Sequence, residues 1–214
     1  MIFRPLFVGL LFLATAGCAP GGGQPPALPS EDAGVVLFFG DSITAGATLD
    51  AAFTYPALLQ ERLGEAGLDY RTVNAGIDGD TTAGGISRLD DALALGPVLV
   101  VVELGVNDAF RGVPSDRTRA NLERLVIAFR ESGAKVLLAG VELGHLGRSY
   151  GFELGEVHAA VARSTDVPLV ADLLLGVAGQ PSMNLPDGVH PNAEGHREIA
   201  ARLWPALETA LRGP

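Results

Sequence analysis

The sequence predicts an α/β domain, a mostly parallel five-stranded sheet covered by helices on both faces. Three observations lead there. Short apolar runs alternate five times with segments of helical period, as βα units require. The clearest run, Val98-Leu99-Val100-Val101-Val102, is apolar without a break, as in strands buried on both faces. Nearly every polar residue of chemical interest follows a strand and does not precede one, and open α/β sheets place their ligands at that edge.

The elements follow in order. Residues 35–39 form strand one and feed Gly40-Asp41-Ser42-Ile43. Thr54 is the expected cap of a helix with Pro56 in its first turn, Leu59 and Leu63 on its buried face, and Gly64 or Gly67 as its stop. Strand two spans 71–77. Thr81 or Thr82 opens a single helix with Ile86, Leu89 and Leu93 on one face, closed by Gly96-Pro97. Strand three is 98–102, and Ser115 caps a third helix ending at Gly133. Strand four is 135–141, a glycine-rich loop covers 143–151, and a helix runs through Leu154, Val157 and Val161. Strand five is 168–173, and a long loop reaches Pro191. A final helix spans 192–211, with Pro205 expected to kink it. Right-handed crossovers between parallel strands make a flavodoxin-like order the natural arrangement.

The N-terminus is of a different kind. Residues 5–17 are almost wholly apolar after Arg4. That run is too short for a bilayer, which takes about 20 residues, and fits the h-region of an export signal covering 1–17. Thr15-Ala16-Gly17-Cys18 then resembles a bacterial lipobox, with the chain's single cysteine as the lipid-attachment residue. A lone thiol in an exported protein has no disulfide partner to explain it. Residues 18–33 carry Gly21, Gly22, Gly23, Pro25, Pro26 and Pro29 and read as a flexible tether, with a reach of at most about 50 Å. The domain, 34–214, is expected to be a single unit, a monomer, on the periplasmic or outer side of a bacterial membrane to which the lipid holds it.

Charge narrows the partners. Fifteen Lys and Arg face 25 Asp and Glu, a net charge of −10. Phosphate backbones need clusters of Lys and Arg, so nucleic acid is excluded as a partner. Polyanion partners do not fit such a surface.

Ser42 stands at a strand end, and a hydroxyl becomes a useful nucleophile when a neighbouring base takes its proton. Of the histidines, His158 and His196 sit within helices and read as packed residues, and His145 lies in the 143–151 loop. His190 has Asp187 three residues upstream in one turn, so a single loop can present a base and the carboxylate that fixes its tautomer. Ester attack also needs donors for the developing oxyanion. Asn107 after strand three offers an amide N–H, and Gly76 or Gly79 after strand two a backbone N–H; both glycines qualify by spacing.

Taken together, Gly-Asp-Ser-Ile at 40–43, Gly79 before Asp80-Thr81, Gly105-x-Asn107-Asp108 and Asp187-x-x-His190 resemble the four signature blocks of the SGNH (GDSL) hydrolases. The stretches 74–81 and 103–108 are similar to the thioesterase I/lysophospholipase L1/arylesterase-like branch. The resemblance implies a three-layer α/β/α fold with a shallow cleft and a triad of Ser42, Asp187 and His190. It assigns the oxyanion hole to the N–H groups of Ser42 and Gly79 and the Asn107 side chain. No metal or other cofactor is implied. Acyl esters, aryl esters, thioesters and lysophospholipids are the implied substrates, hydrolysed through an acyl-enzyme at Ser42. Val106 replaces the branch's usual glycine, and Thr44 its usual serine or leucine. Phe110, Leu143 and Tyr150 are candidates for the acyl-pocket wall. The rival readings are a carbohydrate O-deacetylase on the same triad, a metal-dependent phosphatase using Asp41, Asp108 and Asp187, and a non-catalytic binding lipoprotein.

Overall fold

The computed structural model describes residues 27–142 and 154–213. Among the described residues the sheet has five strands: β1 (Gly34–Gly40), β2 (Tyr70–Gly76), β3 (Pro97–Glu103), β4 (Lys135–Ala139) and β5 (Leu169–Val170). Their order is β2-β1-β3-β4-β5, and every neighbouring pair is parallel. This is the flavodoxin-like order expected from the alternating pattern. The switch point falls beside β1, where chain connections diverge to opposite sides and open a crevice.

The helices are α1 (Ser42–Ala45), α2 (Tyr55–Glu65), α3 (Thr82–Ser87), α4 (Leu89–Ala94), α5 (Val106–Phe110), α6 (Ser115–Glu131), α7 (Leu154–Thr165) and α8 (Ala193–Arg212). Two adjacent residues of β1 show how they are layered. Phe38 meets Tyr55 of α2 edge-on at 5.5 Å, and Phe39 meets Phe129 of α6 at 5.4 Å. Successive strand residues point to opposite faces, so α2 and α6 lie on opposite sides of the sheet. Helix α8 packs beside α2, and α3 and α7 pack beside α6. Val36 to Phe39 and Leu99 to Val102 are wholly buried between these layers.

The register positions the site. Gly40 pairs with Gly76 on one side and with Glu103 on the other. The chains leaving β1, β2 and β3 therefore emerge at one level.

Several boundaries differ from the sequence reading, each for a local reason. The helix expected from Thr81 is two, broken at Arg88, whose side chain turns inward to bond Gly40 O, Ala75 O and Asp80. Thr81 does cap the first of them, accepting from Gly84 N. Ser115 does not cap α6 but is its first residue, behind Pro114, whose carbonyl accepts from Arg117 and Thr118. Strand two lies one residue earlier than predicted and strand four ends two residues sooner, at Ala139. Strand five has only two residues, because Asp172 Oδ1 accepts the N–H of Glu142 and of Leu174 and draws the chain out of the ladder. Helix α5 has no counterpart among the expected elements, because five residues are too few for a periodic signal. Asn192 caps α8 through Glu194 N and Gly195 N, and the helix runs on through Pro205. No helix among the described residues is long and apolar enough to cross a membrane.

His196 joins α8 to α2. Its Nδ1 accepts from Tyr55 N at 3.1 Å, and its ring stacks on that of Tyr55. Burial pushes its pKa from 6.5 down to about 4, so the folded protein holds it neutral. An unfolded chain binds the proton first as pH falls. The stabilisation is complete above pH 6.5 and is lost as pH drops toward about 4. Within that window His196 should cost about 1.4 kcal/mol of stability per pH unit. Urea unfolding of His196→Gln should show a correspondingly flatter acid limb than the wild type.

Candidate active site

Gly40 ends β1 where no side chain fits: a Cβ there would lie 2.0 Å from Thr44 Oγ1 and 2.7 Å from the Glu103 carbonyl. Asp41 follows as the cap of α1, with Oδ1 accepting from Ile43 N at 3.0 Å. The short helix presents Ser42 at its first position. Nothing in α1 precedes the Ser42 N–H, which takes no partner among the described residues.

Ser42 Oγ lies 3.0 Å from His190 Nε2, and His190 Nδ1 lies 2.8 Å from Asp187 Oδ2. The other carboxylate oxygen, Asp187 Oδ1, accepts the N–H of Val189 at 2.9 Å and of His190 at 3.0 Å. The His190 side-chain bond, followed by these backbone donors, lowers the Asp187 pKa to about 2. Asp187 is therefore an anion at any working pH. That favours the tautomer with the proton on His190 Nδ1 and leaves Nε2 free to accept from Ser42. The turn itself is fixed at its base: Leu185 N donates to His190 O at 2.7 Å, and Asn184 bridges to Pro191.

The two candidate glycines after β2 separate clearly. Gly76 sits against α1, where a Cβ would fall 2.2 Å from Ala45 N, and its own N–H donates to Asn74 Oδ1. Gly79 has φ +70 in the turn closed by Asp80 N and Ile77 O, and its N–H takes no partner among the described residues. Arg111 Nη2 donates to the Gly79 carbonyl at 2.6 Å and holds that peptide in place. Asn107, on α5, donates one Nδ2 hydrogen to Asp41 Oδ2 at 3.1 Å, leaving the other available.

Ser42, Gly79, Asn107 and His190 line one open cavity of about 240 Å³. Ile43, Val106, Phe110 and Val189 form its apolar wall, and Asp78 adds an acid. Phe110 lines the cavity that Ser42 and His190 also line. Leu143, Tyr150, His145 and Cys18 lie outside the described residues. His158 bonds the Leu104 carbonyl from the buried core, where desolvation lowers its pKa, so it packs as expected.

The carboxylates of the metal rival are engaged elsewhere. Asp108 accepts from Thr82 N at 2.8 Å and from the Thr82 hydroxyl, tying the loop of Gly79 to that of Asn107. Asp41 holds Ile43 and Asn107. Among the described residues no three His, Cys, Asp or Glu side chains are placed to hold a metal ion.

Arg88, Arg111 and Glu103 were given no role by sequence reasoning. Arg88 joins three segments at the sheet edge and lies 3.7 Å over the Phe39 ring. The available signal was a charge: Arg88 interrupts an apolar helix face, and Glu103 closes a run of three valines.

The family model of the GDSL-like lipase/acylhydrolases matches residues 38–198. The chain belongs to this family. Esterase TesA of Pseudomonas aeruginosa is 42% identical over 178 residues, covering 82% of this chain and 89% of that one. Thioesterase 1/protease 1/lysophospholipase L1 of Escherichia coli is 33% identical over 170 residues, covering 78% of this chain and 80% of that one. A crystal structure of TesA superposes with a TM-score of 0.79 over 83% of this chain and 99% of that chain, at 42% identity. The three-layer fold read from the four sequence blocks is thus the family's own.

The geometry of the two glycines makes a direct comparison. Gly76→Ala should lower stability by roughly 1–3 kcal/mol, because backbone must move to admit the methyl. Gly79→Ala should cost about 1–2 kcal/mol through its positive φ alone. Chemical denaturation of both variants measures the two effects, and ester hydrolysis should fall further for Gly79→Ala per unit of stability lost.

Proposed function

We propose that the protein is a serine esterase that cleaves acyl esters and thioesters through an acyl-enzyme at Ser42. The observation that carries this reading is the bonded chain Ser42–His190–Asp187, whose serine faces the same cavity as Gly79 and Asn107. Ser42 Oγ attacks the substrate carbonyl as its proton passes to His190 Nε2. Asp187 stabilises the imidazolium that results. The N–H groups of Ser42 and Gly79 and the Asn107 amide receive the negative charge on the former carbonyl oxygen. His190 returns its proton to the departing alkoxide or thiolate. Water then enters with His190 again as base, and the acid product leaves. The chemistry calls for no metal or organic cofactor.

The cavity wall sets the substrate. Ile43, Val106, Phe110 and Val189 suit an acyl chain. Short acyl esters, aryl esters, thioesters and lysophospholipids are the proposed substrates, in keeping with the names of the esterase and thioesterase relatives. The whole site comes from one chain, so a monomer suffices.

Residues 1–17 act as an export signal, Cys18 carries lipid, and residues up to 33 tether the 34–214 domain to a bacterial membrane from its periplasmic or outer side. The apolar run before Cys18 and the Gly/Pro-rich stretch after it support this.

Ser42→Ala should abolish p-nitrophenyl ester hydrolysis with an unchanged circular dichroism spectrum; activity within about tenfold of wild type, under 1.4 kcal/mol in barrier, defeats the mechanism. Asn107→Ala should lower kcat by about 10²–10³-fold at nearly constant KM. Cys18→Ser should move the protein from the membrane to the soluble fraction, and continued membrane retention argues against the anchor.

A further inference from the structure

Beneath Ser42 runs a buried polar chain that the triad and the oxyanion donors leave unused. Glu103 closes β3 level with Gly40 and is 0% exposed. Its Oε2 accepts the Thr44 hydroxyl at 2.9 Å and the Asp41 N–H at 3.4 Å. Thr44 has one hydroxyl proton, already given to Glu103, so the 2.7 Å contact with Tyr55 has the phenol as donor. Glu103 Oε1 is buried and meets no N–H or O–H donor. An ionised carboxylate would leave that oxygen without a donor and away from water, an expensive arrangement.

The buried carboxyl groups of Glu103 and Asp41 are close enough to act on each other's protonation, and the Asp41 N–H itself reaches Glu103 Oε2. Two carboxyl groups bond each other only when one carries the proton. Asp41 accepts the Ile43 N–H and the Asn107 amide, and both donors favour its anion. Glu103 has the free oxygen on which a proton sits without displacing anything.

We propose that Glu103 is a neutral acid whose proton bridges to Asp41, and that this bridge holds the Asp41 carboxylate where it aims the Asn107 amide into the cavity. Glu103 is then a positioning residue for the oxyanion site, which rests on the reading of Asn107 as an oxyanion donor. Burial, reinforced by the charge of Asp41, drives the Glu103 pKa well up, while Asp41 is raised to about 6 by burial against the pull of Ile43, Glu103 and Asn107. The other groups facing the pair are Tyr55, itself held neutral by burial, His190, and Arg88, bonded to Gly40 O. A second buried anion here would oppose the charge that develops on the substrate oxygen. The shared proton removes it. Thr44 fits the same account: its hydroxyl links Tyr55 to Glu103, and serine would serve where leucine would not.

Two substitutions and one spectrum test the proposal. Glu103→Gln keeps shape, neutrality, a donor for Asp41 and an acceptor for Thr44; its kcat should stay within about threefold of wild type, less than 1 kcal/mol in barrier. Glu103→Leu removes the donor; its kcat should fall roughly 10–100-fold with KM nearly unchanged, a part of what one oxyanion donor contributes. Infrared difference spectra at pH 8 should show the C=O stretch of a protonated carboxylic acid in the wild type and in Ser42→Ala, and lose it in Glu103→Gln. No such band in the wild type overturns the proposal whatever the activities, including the case in which Glu103→Leu fails to fold. Glu103→Gln as impaired as Glu103→Leu overturns it too, and a folded Glu103→Leu with wild-type kcat overturns the positioning role. The band in Ser42→Ala is independent of turnover, so a failure of the esterase reading would leave it in place.

Discussion

The site depends on one constraint of register. Gly40, Gly76 and Glu103 stand at the same level of three adjacent parallel strands. Because β1 lies between the other two, the chain leaving it is flanked on both sides by outgoing segments. Ser42, Gly79 and Asn107 are each within a few residues of that line, so the sheet fixes their relative heights before any side chain contributes. The glycines are the condition for it. Gly40 lets Thr44 and the Glu103 carbonyl close over the strand end, and Gly76 lets α1 sit directly on β2. Larger residues at either place would lift the nucleophile off the edge that carries its partners.

Above that line the polar groups form a frame around Asp41. This carboxylate caps α1, orients Asn107 and meets Glu103 from below. Arg88 bonds the carbonyls of Gly40 and Ala75 together with Asp80, and Asp108 connects the loop after β2 to the one after β3. Asn107 and the peptides of Ser42 and Gly79 are therefore held by charged and hydrogen-bonded groups, where such bonds are strong and rearrangement is costly. An arrangement of that kind is preorganised for charge that appears only during reaction.

How much of this was legible depended on whether the signal was periodic, spaced or tertiary. The strand order followed from alternation, and the strand Val98 to Val102 was visible because both its faces are covered. The Asp187–His190 turn was readable because both residues are local. The split of the second helix at Arg88 was not, since its cause lies in carbonyls 13 and 48 residues away. The loss of most of strand five had a local cause in Asp172, but aspartate signals a turn too generally to say where the ladder stops. Gly76 and Gly79 were indistinguishable by spacing; the approach of Ala45 to Gly76 and the bond from the Gly76 N–H to Asn74 separate them. Glu103 carried a visible oddity, an acid closing an apolar strand, whose meaning needed the position of Asp41.

The triad is assembled from parts of very unequal reach. Asp187 and His190 are three residues apart and bonded within one turn, whereas Ser42 meets His190 across 148 residues. The acid–base pair can survive as a local unit, while Ser42 depends on α1 and on β1, an interior strand of the sheet. A small displacement of that turn alone would separate proton acceptor from hydroxyl while the strands stay paired. Opening events confined to one segment cost less than global unfolding. Heat or denaturant acting on that turn first would silence the enzyme while the sheet is still folded, so activity reports on one surface turn before it reports on the domain.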